Sequence, residues 1–301
     1  MKIIESIEEM REYSQQLKRE GKTIASVDIA SFIHKGHMQL VEIAKQHSDI
    51  VIVSFGHSIE FLDMYKTGFN TVGDGSIKST WDKFIVDYQR DIYSNDIKLC
   101  NEHKVDIFFS PPMSHFYEKV SNTVILSPLP FAQTMKKNYP EFSQVAPLLI
   151  RAYLISFNIV SPDIAVVGQK DITQSFTLKK IINDLKYPIK LIIAPTHRES
   201  NGLAFNSRNR YLTPSERQDA TSIYQTLHEI SRWDTYPPIP KIKEHICNRI
   251  EGNVNYVLIV STKTLEDLSD LVEEEIIILV EVSYENATLT DNIIIKPQGI
   301  K

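Results

Sequence analysis

Two histidines three residues apart, His34 and His37, flank Lys35 and Gly36 in the stretch IHKGHMQL. The apolar rhythm changes there, from KTIASVDIAS before it to LVEIAKQ after it. This predicts a strand ending near Ala30 or Ser31 and a helix beginning near Gly36. Backbone N–H groups and the dipole at a helix N-terminus favour an anion. Gly36 lets a phosphate come close to the backbone, and the imidazoles can donate to its oxygens. Zinc would need further ligands at suitable spacing, and no nearby cysteine or acidic cluster supplies them. Taken alone, the pair also reads as two ordinary polar residues in a turn.

Two more stretches carry groups suited to an anion. VVGQKDITQS, residues 166–175, leaves an apolar run and enters a helical pattern. Lys170 would project at the strand's C-terminal end, Asp171 can cap the helix, and Gln174 offers a donor and an acceptor one turn in. HRESNGLAFNSRNRYL, residues 197–212, has Asn201-Gly202 for a turn, then Asn206, Ser207, Arg208 and Asn209. A hydroxyl beside a guanidinium suits phosphate oxygens. Separately these residues read as a solvated lysine and a polar linker. Three such stretches together are hard to explain as chance surface residues.

The elements that must position these groups follow from the apolar pattern. Between residue 22 and about 195 the runs TIASVDI, DIVIVSF, VDIFFS, TVILSP, DIAVVG and IKLIIAP alternate with helix candidates at 36–47, 81–103, 145–158 and 171–186. Alternation of this kind predicts βαβ units on a parallel sheet. Right-handed crossovers then bring the strand C-terminal ends to one edge, where ligands usually sit. Residues 1–22 read as an amphipathic, charged helix without the apolar block of a signal peptide. Past residue 196 the character changes. Thr213, Pro214, Ser215 and Glu216 predict a capped helix running to about Trp233. A Pro-rich break, a short helix and the strand candidates NYVLIV, EIIILVEV and ATLTDNIII follow. The expected organisation is a Rossmann-like domain over 1–195 and a smaller α+β domain over 196–301. Residues 67–80, TGFNTVGDGSIKST, follow no period; they read as a surface loop, or as a lid over the site.

The bulk numbers exclude some function classes. The chain has 301 residues, 42% of them hydrophobic, enough for a substantial core. A net charge of −5 argues against nucleic acid as the main partner. No transmembrane run appears. Cys100 and Cys247 form no C-x-x-C pair and fit a reducing compartment. A cytoplasmic location is expected.

On these motifs the chain resembles the pantothenate synthetase (pantoate–β-alanine ligase) family, of the nucleotidyltransferase superfamily with the H-x-G-H signature. IHKGH is similar to the family's L-H-x-G-H, and EHKVDIFFSPPMSHFY to its G-V-D-x-x-F-x-P…M-Y segment. NIVSPDIAVVGQKDITQ resembles N-x-x-x-P-D-x-A-x-F-G-x-K-D-x-x-Q. RESNGLAFNSRNRYLTPSER resembles R-E-x-D-G-L-A-x-S-S-R-N-x-Y-L-x-x-x-E-R, and TLTDN its closing L-I-D-N. The resemblance implies an AMP-forming ligase. Pantoate attacks the α-phosphate of ATP to give an acyl adenylate and pyrophosphate, and β-alanine then displaces AMP. It also implies that His34, Gly36, His37, Gly168, Lys170, Asp171, Ser207 and Arg208 bind ATP. The catalytic set would be His34, His37, Lys170, Ser207 and Arg208. Gln174 would bind pantoate, Asp96 would lie near Mg²⁺, and the protein would be a homodimer.

The departures from the family pattern cluster on the acid-binding side. P-T-M-G before the signature is here Asp28, Ile29, Ala30 and Ser31. The first pantoate-binding glutamine becomes Glu60. G-H-F-R-G-V-A becomes PEFSQVA, with Glu141, Ser143 and Gln144. Asn201 and Asn206 replace an aspartate and a serine, and segment 62–87 is longer than its family counterpart. Glu60, Gln174, Glu141 and Gln144 are thus the expected acid-binding residues. An ionised Glu60 would repel a substrate carboxylate unless it faces a hydroxyl or amine. The rival readings are a paralogue joining another hydroxy acid and amine, a nucleotidyltransferase that stops at the nucleotidylated product, and a binding protein without catalysis.

Overall fold

The computed structural model describes residues 1–29, 33–55, 95–111 and 140–297; for residue 55 and residues 140–149 it describes the backbone alone. Met1–Ile125, Val145–Gly168 and Leu178–Ala194 form one compact unit, and Leu126–Gln144, Gln169–Thr177 and Pro195–Lys301 a second.

The first unit is built on a six-stranded sheet of β1 (Lys2–Ile4), β2 (Ile24–Ile29), β3 (Ile50–Phe55), β4 (Ile107–Phe109), β5 (Ile164–Gly168) and β6 (Lys190–Ala194). Their spatial order is β1-β4-β3-β2-β5-β6, and every pairing is parallel. Strand order reverses at β2 and β5, so the C-terminal ends of these two strands flank the crevice where α/β sheets take ligands.

Side-chain alternation explains why the strands read as continuous apolar runs. Ala25, Val27 and Ile29 of β2 share one core with Val51, Val53, Phe108 and Val166. The intervening Ile24, Ile52, Ile107 and Phe109 point into another core on the opposite face. Helix α2 (Lys35–Lys45) contributes Met38, Val41 and Ala44 to the first of these, and α1 (Ile7–Arg19) contributes Met10 and Leu17 to the second. Each large apolar side chain sealed in this way is worth roughly 1.5–3 kcal/mol relative to exposure.

The expected strands over 23–29, 49–55, 105–110, 163–168 and 189–195 are present with slightly tighter ends; TVILSP lies outside the described residues. Two boundaries differ from expectation. Residues 2–4 are a strand rather than the start of a helix, with Lys2 opposite Ile107 and Ile4 opposite Phe109. The helix cannot start earlier because Ser6 is its N-cap, accepting from the Glu9 amide at 3.2 Å. Helix α3 (Pro140–Val160) begins five residues ahead of the expected 145, since proline is well suited to a first helical turn. Of the candidate helix 81–103, residues 95–102 are helical and the earlier part lies outside the described residues. Helix α4 (Ile172–Asp184) follows β5 through a 3₁₀ turn, Gln169–Asp171.

The second unit carries an antiparallel sheet of β7 (Asn253–Ser261), β8 (Ile276–Ser283) and β9 (Thr288–Ile295), in that order. Its core joins Ile259, Ile278 and Val280 to Ile223, Leu227 and Ile230 of one helix and Ile242 and Ile246 of another. The predicted capping box is present. Glu216 N–H donates to Thr213 Oγ1 at 3.2 Å and Thr213 N–H to Glu216 Oε2 at 2.8 Å. The single expected helix is divided at Ala220 into α5 (Pro214–Asp219) and α6 (Thr221–Ser231). Thr221 Oγ1 and Ser222 Oγ donate back to the carbonyls of Gln218 and Asp219 at 2.7 and 2.6 Å, competing with the helical ladder there. Helix α7 (Ile239–Arg249) completes the unit. The chain therefore has the expected class, a parallel-sheet α/β unit with a smaller α+β unit.

Candidate active site

In the first unit the signature histidines sit where β2 hands over to α2. His34 is the N-cap residue, with extended backbone, and His37 is the third helical residue. The two rings stack with centroids 3.9 Å apart and planes at 20°. The His34 amide donates to Nδ1 of His37 at 3.3 Å. That bond fixes the tautomer, because a neutral imidazole accepting at Nδ1 carries its proton on Nε2. His37 therefore presents an N–H donor on the ring edge away from its own backbone. Gly36, in the first turn between them, is partly exposed. The first turn of α2 carries no acidic side chain of its own.

Asp96 is drawn to the same segment. It lies in the 95–102 helical stretch, is 2% exposed, and its Oδ1 accepts from the Ile33 amide at 3.2 Å. It thus holds the chain as it enters the signature. Its charge, after burial itself, helps push the buried Cys100 thiol up to about 12, so that thiol is no nucleophile near neutrality.

Asp28 forms a second polar centre, on the opposite face of β2. Ser26 Oγ donates to Asp28 Oδ2 at 2.8 Å, and Ser156 Oγ of α3 donates to Ser54 Oγ of β3 at 3.0 Å. Burial pushes the Asp28 carboxyl up to about 6, against the pull of hydrogen bonds from Ser156, Ser26 and Ser54.

In the second unit Lys170 stands in the 3₁₀ turn after β5, with Nζ 3.0 Å from Asp171 Oδ1. Asp171 thus pairs with the neighbouring lysine. Gly168 ends β5, opposite Ala194 of β6, and Gln174 is half-buried in the first turn of α4. Ser207 and Arg208 open a second 3₁₀ turn, Ser207–Tyr211, capped by Asn206, whose Oδ1 accepts from the Arg208 amide at 3.1 Å. Arg208 Nη1 donates to the Thr288 carbonyl at 3.0 Å. Its charge also bears on Tyr256, whose phenol is raised by burial and by Glu281 while Arg208 works the other way.

The loop leading to this turn is pinned from behind. Arg198 makes a forked pair with Asp291 at 2.6 and 3.0 Å, donates to the Gly202 carbonyl and lies 3.9 Å over the Tyr224 ring. Asn292 is fully buried and bonds the backbone on either side of the lysine: its Nδ2 donates to the carbonyls of Gln169 and Lys170 at 3.0 and 2.8 Å. The sequence reading met Asp291 and Asn292 only as the end of TLTDN, matched to the family's closing L-I-D-N, and gave neither a role.

Comparison with known proteins decides the family. A sequence profile of the pantoate–beta-alanine ligase family matches residues 2–62 and 82–294. The chain belongs to this family. Pantothenate synthetase of Thermotoga petrophila is 32% identical over 302 residues, spanning 98% of this chain and all of that one. Its counterpart from Caldicellulosiruptor bescii is 30% identical, spanning 98% and 99%. The crystal structure of pantothenate synthetase from Thermus thermophilus superposes with a TM-score of 0.75 at 26% identity, covering 97% of this chain and 99% of that one. The profile steps over residues 63–81, inside the 62–87 segment that reads as longer than its family counterpart.

The remaining expected residues have no side-chain description. Glu60 and the 67–80 segment lie outside the described residues. Glu141 and Gln144 fall within α3, where the backbone alone is described. An Mg²⁺ beside Asp96 stays an expectation of the family resemblance. Among the described residues no three His, Cys, Asp or Glu side chains are grouped to hold a metal ion, and Asp96 is a buried carboxylate already bonded to an amide. Among the described residues no helix is long and apolar enough to cross a membrane.

Proposed function

We propose that the chain is an ATP-dependent pantoate–β-alanine ligase. The observation that carries this reading is the family match along nearly the whole chain, together with the retained H-x-G-H, G-Q-K-D and S-R-N motifs. A pantoate carboxylate oxygen attacks the α-phosphorus of ATP, and the bond to the β-phosphate oxygen breaks, releasing pyrophosphate. The uncharged amine of β-alanine then attacks the acyl carbon; the C–O bond to AMP breaks and the amine gives up a proton.

The chain's own residues would serve the first step by meeting negative charge as it grows on the phosphates. His37 offers the Nε2 proton its tautomer requires, with His34 stacked against it. Gly36 and the first amides of α2 form the backbone part of an anion cradle. Lys170 supplies a mobile cation, and Ser207 and Arg208 a hydroxyl beside a guanidinium. Gly168 leaves room at the end of β5, Asp171 pairs loosely with the Lys170 ammonium, and Gln174 reads the hydroxy acid. Asp96 acts by tethering Ile33. A homodimer in the cytoplasm accords with the family resemblance and with the reaction's soluble substrates.

The test is ATP–pyrophosphate exchange with pantoate and a panel of other hydroxy acids, followed by amide formation with β-alanine. Exchange with pantoate and formation of pantothenate is the expected result; no exchange with any acid overturns the ligase reading. A second reading, ligation of a different hydroxy acid, is favoured by Glu60, Glu141 and Gln144 standing where the family has other residues. Under it, exchange is faster with another acid of the panel than with pantoate.

A further inference from the structure

We propose that Asn292, on the last strand of the second unit, is a positioning residue for Lys170, and that its side-chain amide sets where the lysine ammonium meets the leaving phosphates. The inference rests on the ligase reading given above. Lys170 lies in a three-residue 3₁₀ turn, too short to fix its own orientation. Two things hold it. One is the ion pair with Asp171, whose carboxylate is 55% exposed; exposed pairs hold little. The other is Asn292, which is 0% exposed.

Asn292 uses nearly its whole side chain on this turn. Nδ2 directs its two hydrogens to the carbonyls of Gln169 at 3.0 Å and Lys170 at 2.8 Å, and Oδ1 accepts from Gln169 Nε2 at 3.3 Å. A buried amide is costly unless its partners are all present, and an apolar residue would suit a buried strand position better on packing grounds alone. Aspartate would set a carboxylate against two carbonyls; leucine would leave both carbonyls without their donor. Asparagine alone among residues of this size both donates twice and accepts. The strand is also fastened on either side, since Asp291 forks onto Arg198 and the Thr288 carbonyl takes Arg208. One strand thus tethers both cations assigned to the phosphates.

The experiment compares the full-length parent with Asn292→Ala, Lys170→Met and the double variant, in single-turnover pyrophosphate formation and in amine capture from supplied adenylate. Asn292→Ala is expected to slow pyrophosphate formation by about tenfold to a hundredfold, as a misplacement of roughly 1 Å does. It should leave amine capture little changed and add nothing in the Lys170→Met background. Equal slowing of both steps, or a full further loss on top of Lys170→Met, overturns the positioning role. ATP affinity by calorimetry completes the same cycle without turnover, so the coupling is readable even if no acid is adenylated. An inactive parent would count against the ligase reading, whereas additive losses in an active one count against Asn292 alone. Should Asn292→Ala fail to fold, Asn292→Ser, with one donor in a smaller side chain, carries the same readouts.

Discussion

His37 joins a structural bond to the chemical role proposed for it. Its Nδ1 takes the His34 amide, so its Nε2 proton is what a phosphate would meet. Loss of one such preorganised donor typically costs about 2.7–4 kcal/mol in the transition state. His37→Ala and His34→Ala should each lower ATP–pyrophosphate exchange by a factor on the order of 10²–10³, with circular dichroism unchanged; near-parental exchange in both would remove the phosphate cradle. Asp28 makes a different prediction. Its folded pKa of about 6 lies above the ordinary 3.8, so the folded state holds the proton more tightly. The sign follows: Asp28 costs nothing below pH 4, and stability falls as pH rises through 6, by up to ~3 kcal/mol for a shift of this size. Asp28→Asn should flatten that fall and raise Tm above pH 6 while leaving it unchanged at pH 4. An identical Tm–pH curve for both proteins would show that the carboxyl is not held in this way. The two residues also differ in legibility. The histidine pair shows in four letters of sequence. The hydroxyls around Asp28 come from β2, β3 and α3, and no local pattern links Ser156 to Ser54.

At the scale of elements, periodicity and capping chemistry located most of the helices and strands, because those signals act within a few residues. Thr213 and Glu216 bond reciprocally as their spacing requires. The division at Ala220 rests on hydroxyls that back-bond only three residues away, which the apolar period does not show, and the short β1 on distant pairing with β4. The Asn201-Gly202 turn lies between these extremes. A turn is legible there, but not how tightly it is closed. Gly202 has φ +93°, and a Cβ placed on it would meet Tyr224 Cδ1 at 2.5 Å. Tyr224 is itself under the Arg198 guanidinium, so it cannot withdraw without disturbing the Arg198–Asp291 fork. Gly202→Ala should therefore destabilise the protein by ~1–3 kcal/mol, the usual cost of one residue held in a sparsely populated backbone region. Urea unfolding reads this directly, and ATP affinity should fall with it because the same loop leads to Ser207 and Arg208. A midpoint equal to the parent's would mean that the turn relaxes freely.

At the scale of the whole molecule, the hydrophobic fraction and the strand–helix alternation suffice to indicate a parallel α/β unit followed by a smaller α+β one. The residues proposed to meet the phosphates are legible because backbone geometry and charge restrict which side chains could serve there. The acid-binding side is less legible, because many side chains can line a small polar pocket, and here it departs from the family at several positions. The family profile matches the chain on either side of residues 63–81 but not across them. Within them, residues 67–80 are rich in Gly, Ser and Thr without a period, and read from sequence as a surface loop or a lid. On the surface-loop reading, loop closure costs only ~0.6 kcal/mol more per doubling of length, so shortening the segment should be nearly neutral or slightly stabilising. Replacing residues 63–81 with a short Gly-Ser bridge is expected to leave Tm unchanged or slightly raised, and ATP–pyrophosphate exchange within about threefold of the parent, less than 1 kcal/mol in the barrier. The informative contrast is in the second step. If the segment shields the adenylate, the shortened protein will release AMP and free acid in place of amide, since water then competes with the amine. An unchanged ratio of amide to free acid would leave it a surface insertion, and the search for what tunes the acid pocket would narrow to Glu60, Glu141 and Gln144.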